Sequence, residues 1–548
     1  DPGYLPFIDA AQPEVAQIGF YGAHFWSLVH TPSYKGYPAH FPVQGINECG
    51  QWFADMNREL HQRNVKVIGH FNTKFLVGDP DGPEGPRGFF KFYRDLWDEE
   101  VLGPKPVEDP TTMLERKRDG SLLGSNSYSI GKMQEYWGCL SNPDWRKVLK
   151  AWVKYAVDQG VDGLIANYFY RHDCHCEHCV AGFKSYLGSR HSAQALKDQF
   201  GIEDLAKHQF DEIVCWHKPE ESTPLRREML RWSQITNKEA FDEVFIKHGR
   251  SLKPDLRVAQ WNHISFFSQI SGDERCLLPA EMWGRGEDYL WYSSGASAHF
   301  TDLAEGLLGE VTLQARYIRG AFDDKPYTLG KYESTRTRAS IAELAANGGA
   351  PMGFYTRFRD PMAAEEIARY YGFMKRPYAE VVLLFPRSRV HQGDLEPLAR
   401  FKTVGVELLN QHVLFDVLPD DIARPEQLGK YKAVINPADS SVDLAKLPAG
   451  LSRFTGPSTV RVSANRPAGS NELALHFVNY NRIEPEKKRS AGGGIKDEKP
   501  IAVAEFQVDA QLPTGLQPGK VRFLTPEQPE GQEVEFSVDS GRIKCRLP

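Results

Sequence analysis

Through residues 1–375, short apolar runs alternate with longer amphipathic stretches, and this alternation constrains the fold more than any other feature of the chain. Strands that alternate with helices predict βα units built around a parallel sheet. An eighth run, Tyr4–Ile8, would close the sheet into a (β/α)₈ TIM barrel, and an open doubly wound sheet is the alternative. The seven other predicted strands are Val15–Tyr21, Val65–Phe71, Val161–Asn167, Leu256–Asn262, Cys276–Glu281, Pro326–Glu333 and Pro351–Tyr355.

The chain after residue 375 follows a different pattern. Residues 376–457 hold the apolar runs AEVVLLFP, FDVLP and YKAVINP around one helical stretch, which predict a small α/β domain of flavodoxin-like type. Residues 458–548 alternate apolar and polar residues between Gly and Pro turns, as in TVRVSA and ELALHFVNY. This alternation predicts a C-terminal antiparallel β-sandwich.

Composition excludes some classes of partner. Lys and Arg number 66 against 72 Asp and Glu, a net charge of −6, so neither nucleic acid nor an anionic membrane is an expected partner. The aromatic content of 12% suits the binding of sugar rings, and no apolar run reaches the roughly 20 residues of a membrane span. Because the chain opens at Asp1 without an apolar leader, we expect a processed protein that works in the periplasm or after secretion.

Three of the eight cysteines lie within six residues, in the run Cys174-His-Cys-Glu-His-Cys179. A βα crossover returns the chain beside its start, so Cys139 is expected to meet them. Four thiolates would make a closed tetrahedral zinc site of structural type, held by Cys139, Cys174, Cys176 and Cys179. Reduced free thiols are one alternative. A mixed site that uses the interleaved histidines, His172, His175 and His178, is the other.

Two patterns around these cysteines carry a family resemblance: Cys139-x-x-Asn142-Pro143-x-x-Arg146, and Cys174-x-Cys176-x-x-Cys179-x₃-Phe183-x₃-Leu187. They resemble the zinc loop of family 42 β-galactosidases among the glycoside hydrolases. The earlier stretch AHFWSLVHTPSYKGYPAHFP, followed by NVKVIGHF, is more similar to a family of hypothetical glycosyl hydrolases, whose barrels are in turn similar to those of family 29 α-L-fucosidases. The resemblance covers residues 15–375, and the two later regions also look like those of family 42.

The resemblance implies a carbohydrate substrate and a possible homo-oligomer, with the contact in the α/β segment between residues 379 and 437. It departs at the strand before the cysteines. In family 42 that strand ends in Asn-Glu, with the Glu as acid/base, whereas this chain has Asn167-Tyr168. Neither family's mechanism can therefore be carried over intact.

Glycoside cleavage normally needs two carboxyl groups, one to protonate the leaving oxygen and one as nucleophile or base. Glu281 and Glu333 each close an apolar run, and on adjacent barrel strands they would face one pocket. Glu333 also matches the strand that holds the family 42 nucleophile. Asp173 is either a displaced acid or a group that hydrogen-bonds around the zinc loop.

The predicted function is an exo-acting glycoside hydrolase that removes a terminal galactoside-, fucoside- or uronide-like sugar. A non-catalytic carbohydrate-binding barrel is the first alternative, and a zinc hydrolase is the second. Sugar hydroxyls need paired donors and acceptors, and ring faces need aromatic contacts. The residues expected to supply them are His24, Trp26, His70, Asn72, Asn167, Tyr168, Trp261, Asn262, His263, Trp283, Lys331 and Arg336.

Overall fold

The structure is a computed structural model. It describes residues 3–22, 48–83, 85–125, 133–167, 172–214, 223–262, 286–292, 308, 310–329, 337–351, 376–390, 392, 394–439, 442–466, 471–483 and 501–548.

A seven-stranded, curled parallel sheet forms the centre of the first 351 residues, and its strands are neighbours in the order of the sequence. A doubly wound sheet reverses its strand order at a switch point. The described strands show no reversal, so the doubly wound alternative is wrong for them. The strands are β1 Val15–Gly22, β2 Lys66–Asn72, β3 Gly163–Asn167, β4 Arg257–Asn262, β5 Leu290–Tyr292, β6 Tyr327–Leu329 and β7 Ala350–Pro351.

The prediction of an eighth strand at Tyr4–Ile8 is wrong. This segment begins an α-helix, α1, that spans Tyr4–Ala11. Tyr4, Ile8 and Ala11 are spaced by four and three residues, which places them on one helical face. Ile8 and Ala11 are buried, and Ile8 packs in a cluster with Leu60 and Val67, so the helix covers the sheet instead of extending it.

The strand beside β4 is one that the sequence did not predict. The expected strand Cys276–Glu281 lies outside the described residues, and β5 occupies the place between β4 and β6. The segment Leu290–Tyr292 reads Leu-Trp-Tyr, and such large apolar and aromatic residues favour strands. Among the described strands, β5 is therefore the neighbour of β6, the strand that leads towards Glu333.

Helices cover one face of the parallel sheet. Phe71, Leu164 and Val258 pack on that face in one cluster with Trp145 and Phe245. Ile68, Ile165, Ala259, Trp261 and Trp291 form a separate cluster on the opposite, inward face. The longer helices after α1 are α2 Glu48–Gln62, α3 Pro143–Asp158, α4 Glu177–Arg190, α5 Ala193–Phe200, α6 Pro224–Phe241, α7 Glu310–Ala321, α8 Thr337–Ala346 and α9 Glu396–Asn410.

Shorter elements connect these helices and strands. Two are π-helical, Phe92–Leu96 and Asp242–Gly249, and two are 3₁₀ turns, Pro110–Met113 and Leu444–Lys446. The remaining α-helical turns are Phe89–Lys91, Glu99–Leu102, Arg250–Leu252, Arg387–Val390 and Pro425–Leu428. Among the described residues, no helix has both the length and the apolar character needed to cross a membrane.

An antiparallel sheet is inserted between β2 and β3. Its strands, in spatial order, are Arg87–Gly88, Phe75–Asp79, Gln134–Trp137 and Gly124–Ser125. The last long strand of this insertion ends two residues before Cys139. The insertion therefore lies at the carboxyl end of the parallel sheet and leads directly into the cysteine region.

The later part of the chain contains a small parallel sheet and several antiparallel sheets. The parallel sheet consists of β8 Val381–Phe385, β9 Phe415–Pro419 and β10 Ala433–Ile435, with β8 in the middle. The antiparallel strands are Arg376–Pro377, Val460–Arg466 and Ala474–Asn479 in one sheet; Arg453–Thr455, Gln507–Gln511, Arg542–Arg546 and Phe536–Asp539 in a second; and the hairpin Arg522–Thr525 with Gln528–Glu533. The coarse prediction of mixed α/β structure followed by antiparallel sheets is confirmed.

Candidate functional site

Five uncharged side chains follow one another along the inward face of the sheet near its carboxyl edge. The strand register pairs Asn72 with Asn167, Trp261 with Trp291, and Trp291 with Thr328. Residues paired in register in a parallel sheet point to the same face. We call these five residues, Asn72, Asn167, Trp261, Trp291 and Thr328, the interior row. Active sites of barrel enzymes are built at this edge of the sheet.

His70 links members of the interior row that lie on different strands. Its Nε2 atom is 2.8 Å from the amide nitrogen of Asn167, and its ring stacks on that of Trp261 with 4.8 Å between centroids and 24° between planes. The Trp261 and Trp291 rings are in turn 5.4 Å apart. A continuous line of contacts thus crosses strands β3, β2, β4 and β5.

The hydrogen bond from Asn167 fixes the tautomer of His70. An amide nitrogen only donates, so Nε2 of His70 accepts and the ring proton resides on Nδ1. His70 is 5% exposed. The histidine is therefore held as an oriented ring beneath the carboxyl edge of the sheet.

Several buried polar atoms on the inward side have no hydrogen-bond partner among the described residues. They are Gln17 Oε1, the Tyr289 hydroxyl, Trp291 Nε1 and Thr328 Oγ1. Burial raises the pKa of Tyr289, so its hydroxyl stays protonated. An unsatisfied buried donor or acceptor costs about 1–3 kcal/mol, and so this interior is suited to receive a polar ligand or water.

Trp291, Tyr289 and Thr328 were not among the predicted site residues. The signal that would have identified the first two is the alternation in Asp288-Tyr-Leu-Trp-Tyr, which places Tyr289 and Trp291 on one face.

The structure brings three of the predicted sugar-binding residues, His70, Asn167 and Trp261, into one group. Asn72 belongs to the row, but its side chain closes a turn with the backbone N–H and carbonyl of Phe75. Asn262 lies on the opposite face from Trp261, and its amide donates to the Gln260 and Trp291 carbonyls. The other predicted residues lie outside the described part of the chain: His24, Trp26, Tyr168, His263, Glu281, Trp283, Lys331, Glu333 and Arg336.

The four cysteines predicted to bind metal meet in one buried cluster. Their sulfur atoms all lie within 4.8 Å of one another, and Cys139 Sγ is 3.6, 3.5 and 4.0 Å from those of Cys176, Cys179 and Cys174. A disulfide would need about 2.05 Å, so these are separate thiol groups. The cluster can hold a metal ion.

The neighbouring histidines have other partners. Nδ1 of His172 is 2.7 Å from Glu115, and Nε2 of His175 is 3.0 Å from Asp173. His178 lies 3.7 Å from Glu177. The cluster is therefore formed by sulfur atoms, and the mixed Cys/His alternative is not what the structure shows.

The thiols of the cluster influence one another electrostatically. Hydrogen bonds from the neighbouring thiols raise the pKa of Cys139 and lower that of Cys176. Several thiolates at such short separations repel one another, and a cation between them offsets that repulsion. The donor set is thus chemically matched to a soft or borderline divalent metal.

Asp173 is positioned as a loop anchor. Its Oδ1 atom accepts the backbone N–H groups of Ile213 and Val214 at 2.8 and 3.1 Å, and its Oδ2 atom accepts from His175. One carboxylate oxygen thus holds the segment around residue 213 against the cysteine loop, and the other binds His175 within that loop. This arrangement supports the hydrogen-bonding interpretation of Asp173 over that of a displaced acid.

A buried ion pair joins the cysteine region to the end of β2. Lys74 forms a salt bridge with Glu115, and both side chains are almost fully buried. The other oxygen of Glu115 binds His172, whose ring centroid is 4.2 Å from that of Trp137. All charges of this group are compensated within the protein.

No family model and no curated protein matches this sequence. Among solved structures, the chain is similar to α-L-fucosidase isoenzyme 2 from Paenibacillus thiaminolyticus, with 13% identity, a TM-score of 0.55, and coverage of 100% of this chain and 94% of that one. It is also similar to a catalytic mutant of a GH42 β-galactosidase from G. stearothermophilus, with 12% identity, a TM-score of 0.54, and coverage of 79% and 64%. These likenesses show that the chain shares its fold with these two proteins.

Proposed function

We propose that the protein is an exo-acting glycoside hydrolase that removes a terminal galactoside-, fucoside- or uronide-like sugar. The observation that carries the proposal is the interior row with His70, because it places buried, hydrogen-bonding groups at the carboxyl edge of a sheet whose strand order is sequential. A sugar that sits on this edge would meet donors, acceptors and aromatic rings together. The shared fold with a fucosidase and a β-galactosidase supports the same function.

We assign the chemistry to two carboxyl groups, Glu333 and Glu281. Glu333 follows β6 by four residues, so it continues from the strand that carries Thr328. Glu281 lies in the connection between β4 and β5, and its assignment rests on its carboxyl group and not on strand adjacency. One group would protonate the leaving oxygen, and the other would act as nucleophile or activate water.

Replacement of each glutamate by glutamine tests this assignment. Glu333→Gln and Glu281→Gln should each reduce kcat on the cleaved aryl glycoside at least 10²-fold, since general acid–base catalysis contributes about 10²–10⁴-fold. The matched control is Glu203→Gln, a change of an exposed carboxylate that pairs with Lys197. Near-native turnover of either test variant removes that residue from the mechanism.

A non-catalytic sugar-binding barrel is the second candidate, and one observation favours it. The carboxylate expected after Asn167 is absent from the sequence, and the Asn167 amide is occupied by His70. Binding of a monosaccharide without hydrolysis of any aryl glycoside would select this candidate. A zinc hydrolase is disfavoured, because a closed set of four sulfur ligands leaves no position for substrate or water.

We propose that the cysteine cluster binds one structural Zn²⁺ through Cys139, Cys174, Cys176 and Cys179. Tetrahedral zinc with Zn–S bonds of about 2.3 Å separates its sulfur ligands by roughly 3.8 Å. The sulfur separations of 3.5, 3.6 and 4.0 Å in the cluster fit this spacing. The ion would join the loop after β3 to the start of α3, and so contribute folding free energy.

We also propose that the small α/β segment mediates a homo-oligomer contact. Val434, on edge strand β10, is 45% exposed, which leaves an apolar side chain beside unpaired strand groups. Light scattering should then give a mass larger than the 62.0 kDa of one chain. A monomeric mass across micromolar concentrations would contradict the proposal.

A further inference from the structure

We propose that Trp291 and Thr328 are sugar-contacting residues, and that the sugar they contact is uncharged. The indole N–H of Trp291 donates to a sugar hydroxyl, and the Thr328 hydroxyl binds the neighbouring one. This inference rests on the proposed glycosidase function and specifies its substrate class. Among the three sugar types considered above, it favours the galactoside- and fucoside-like sugars over the uronide.

Position in the sheet is the first support. Trp291 lies in register between Trp261 and Thr328, and all three occupy the inward face near the carboxyl edge. Its ring contacts that of Trp261, which stacks on His70. Trp291 therefore continues the line of contacts that begins at Asn167 and extends it by one strand.

The hydrogen-bonding state of the two side chains is the second support. Trp291 is 8% exposed, yet its Nε1 atom has no acceptor among the described residues, and Thr328 Oγ1 is likewise without a partner there. An indole N–H only donates, whereas a threonine hydroxyl donates and accepts. Adjacent sugar hydroxyls can donate and accept hydrogen bonds, and so they complement this pair.

The charge of the row indicates the substrate class. Its five members are two asparagines, two tryptophans and one threonine, so the row itself offers no cation to a carboxylate or sulfate. Burying an anion without a positive partner is strongly unfavourable. Hydroxyls and apolar C–H faces, by contrast, match amides, a hydroxyl and aromatic rings.

Two substitutions test the proposal on the full-length protein. Trp291→Phe keeps an aromatic ring and removes the N–H, and Thr328→Val keeps the shape and removes the hydroxyl. The substrates are p-nitrophenyl α-L-fucoside, β-D-galactoside and β-D-glucuronide. We expect each variant to lower kcat/KM on the cleaved neutral glycoside roughly 10-fold, the effect of one lost hydrogen bond.

Thermal stability separates a substrate contact from a structural role. Because both substitutions remove a buried polar atom that has no partner in the described part of the chain, Tm should stay the same or rise while kcat/KM falls. Substitution of a residue with a structural role would lower both Tm and kcat/KM. The control is Trp97→Phe, which removes an indole N–H that donates to the Gly103 carbonyl at 2.8 Å and should leave kcat/KM within twofold.

The outcomes are distinct. If kcat/KM is unchanged in both variants, Trp291 and Thr328 do not contact the sugar, and the proposed glycosidase function is unaffected. Preference for the glucuronide overturns the uncharged substrate. A wild-type protein that cleaves none of the three glycosides, and whose tryptophan fluorescence does not respond to L-fucose or D-galactose, overturns the proposed function and this inference together. If Trp291→Phe fails to fold, kcat/KM of Thr328→Val alone tests whether this part of the row contacts the sugar.

Discussion

The cysteine region and the interior row lie at the same edge of the parallel sheet, yet two carboxylates of the first and two side chains of the second differ in how their polar atoms are partnered. In the cysteine region, Asp173 accepts from two backbone N–H groups and a histidine, and Glu115 binds both Lys74 and His172. In the interior row, Trp291 and Thr328 bury polar atoms that have no partner among the described residues.

This difference separates a structural role from a binding role. Groups that are matched inside the protein hold loops together and gain nothing from a ligand. Groups that are buried but unmatched keep a cost that a ligand can remove. We therefore expect substitutions in the cysteine region to affect stability, and substitutions in the row to affect activity.

The largest expected effect comes from loss of the metal. Cys176→Ser should abolish zinc binding and lower the free energy of unfolding by about 5 kcal/mol or more, since structural zinc contributes folding energy directly. With an unfolding entropy of about 2.1 cal/mol/K per residue, Tm should fall by about 4 °C or more when the chain unfolds as one unit. Elemental analysis and differential scanning fluorimetry measure the two quantities.

Cys545→Ser is the matched control. Cys545 is a half-buried free thiol in strand Arg542–Arg546, outside the cluster. The Cys545→Ser protein should bind as much metal as the wild type and should have the same Tm. If Cys176→Ser behaves like Cys545→Ser, the cluster is a group of reduced thiols without a metal.

The next effect concerns the buried ion pair. Glu115→Gln removes the carboxylate that pairs with the buried ammonium group of Lys74, a residue that is 2% exposed. Breaking a buried pair in this way costs about 3–5 kcal/mol, which urea unfolding would measure. Asp211→Asn, which disrupts an exposed pair with Arg118, should cost less than about 0.5 kcal/mol. Equal effects would show that Glu115 and Lys74 are solvated.

Substitution of Asp173 tests directly whether this residue has a structural or a catalytic role. Asp173→Ala removes the acceptor of the Ile213 and Val214 N–H groups and should cost about 1–3 kcal/mol, with kcat within twofold of the wild type. Steady-state kinetics and urea unfolding on the same preparation measure both. A 10²-fold loss of kcat at unchanged stability would instead identify Asp173 as the displaced acid.

The cysteine cluster could be predicted from sequence because its information is local. Three thiols lie within six residues, and one βα crossover suffices to bring Cys139 to them. The strands β1 to β4 were predicted for a similar reason, since each is an apolar run with clear limits. Their structural bounds differ from the predicted ones by at most two residues.

The interior row could not be predicted in full because it depends on which side chains face inward. Strand β4 reads Arg-Val-Ala-Gln-Trp-Asn and is buried from its second residue onward, on both faces. In such strands the alternation of polar and apolar residues is lost. Sequence therefore could not show that Trp261 faces inward and Asn262 faces the helices, or that β5 separates β4 from β6.

The smallest expected effect tests whether the two regions are coupled through α3. Asn142 caps this helix by accepting from the Asp144 and Trp145 N–H groups, and its own N–H donates to the Cys139 carbonyl. Asn142→Ala should cost about 1 kcal/mol, the usual value for a lost N-cap.

The same helix contributes Trp145 and Trp152 to the core that packs on the sheet. A change in the position of this helix would therefore act on the sheet that carries the interior row as well as on Cys139. If the regions are independent, metal content and kcat/KM stay at wild-type values while Tm falls by about 1 °C. Ser192→Ala, which uncaps helix α5, is the control, because it should cost a similar free energy without contact with Cys139. A fall in kcat/KM for Asn142→Ala alone, with the metal retained, would show that the cysteine region positions the interior row.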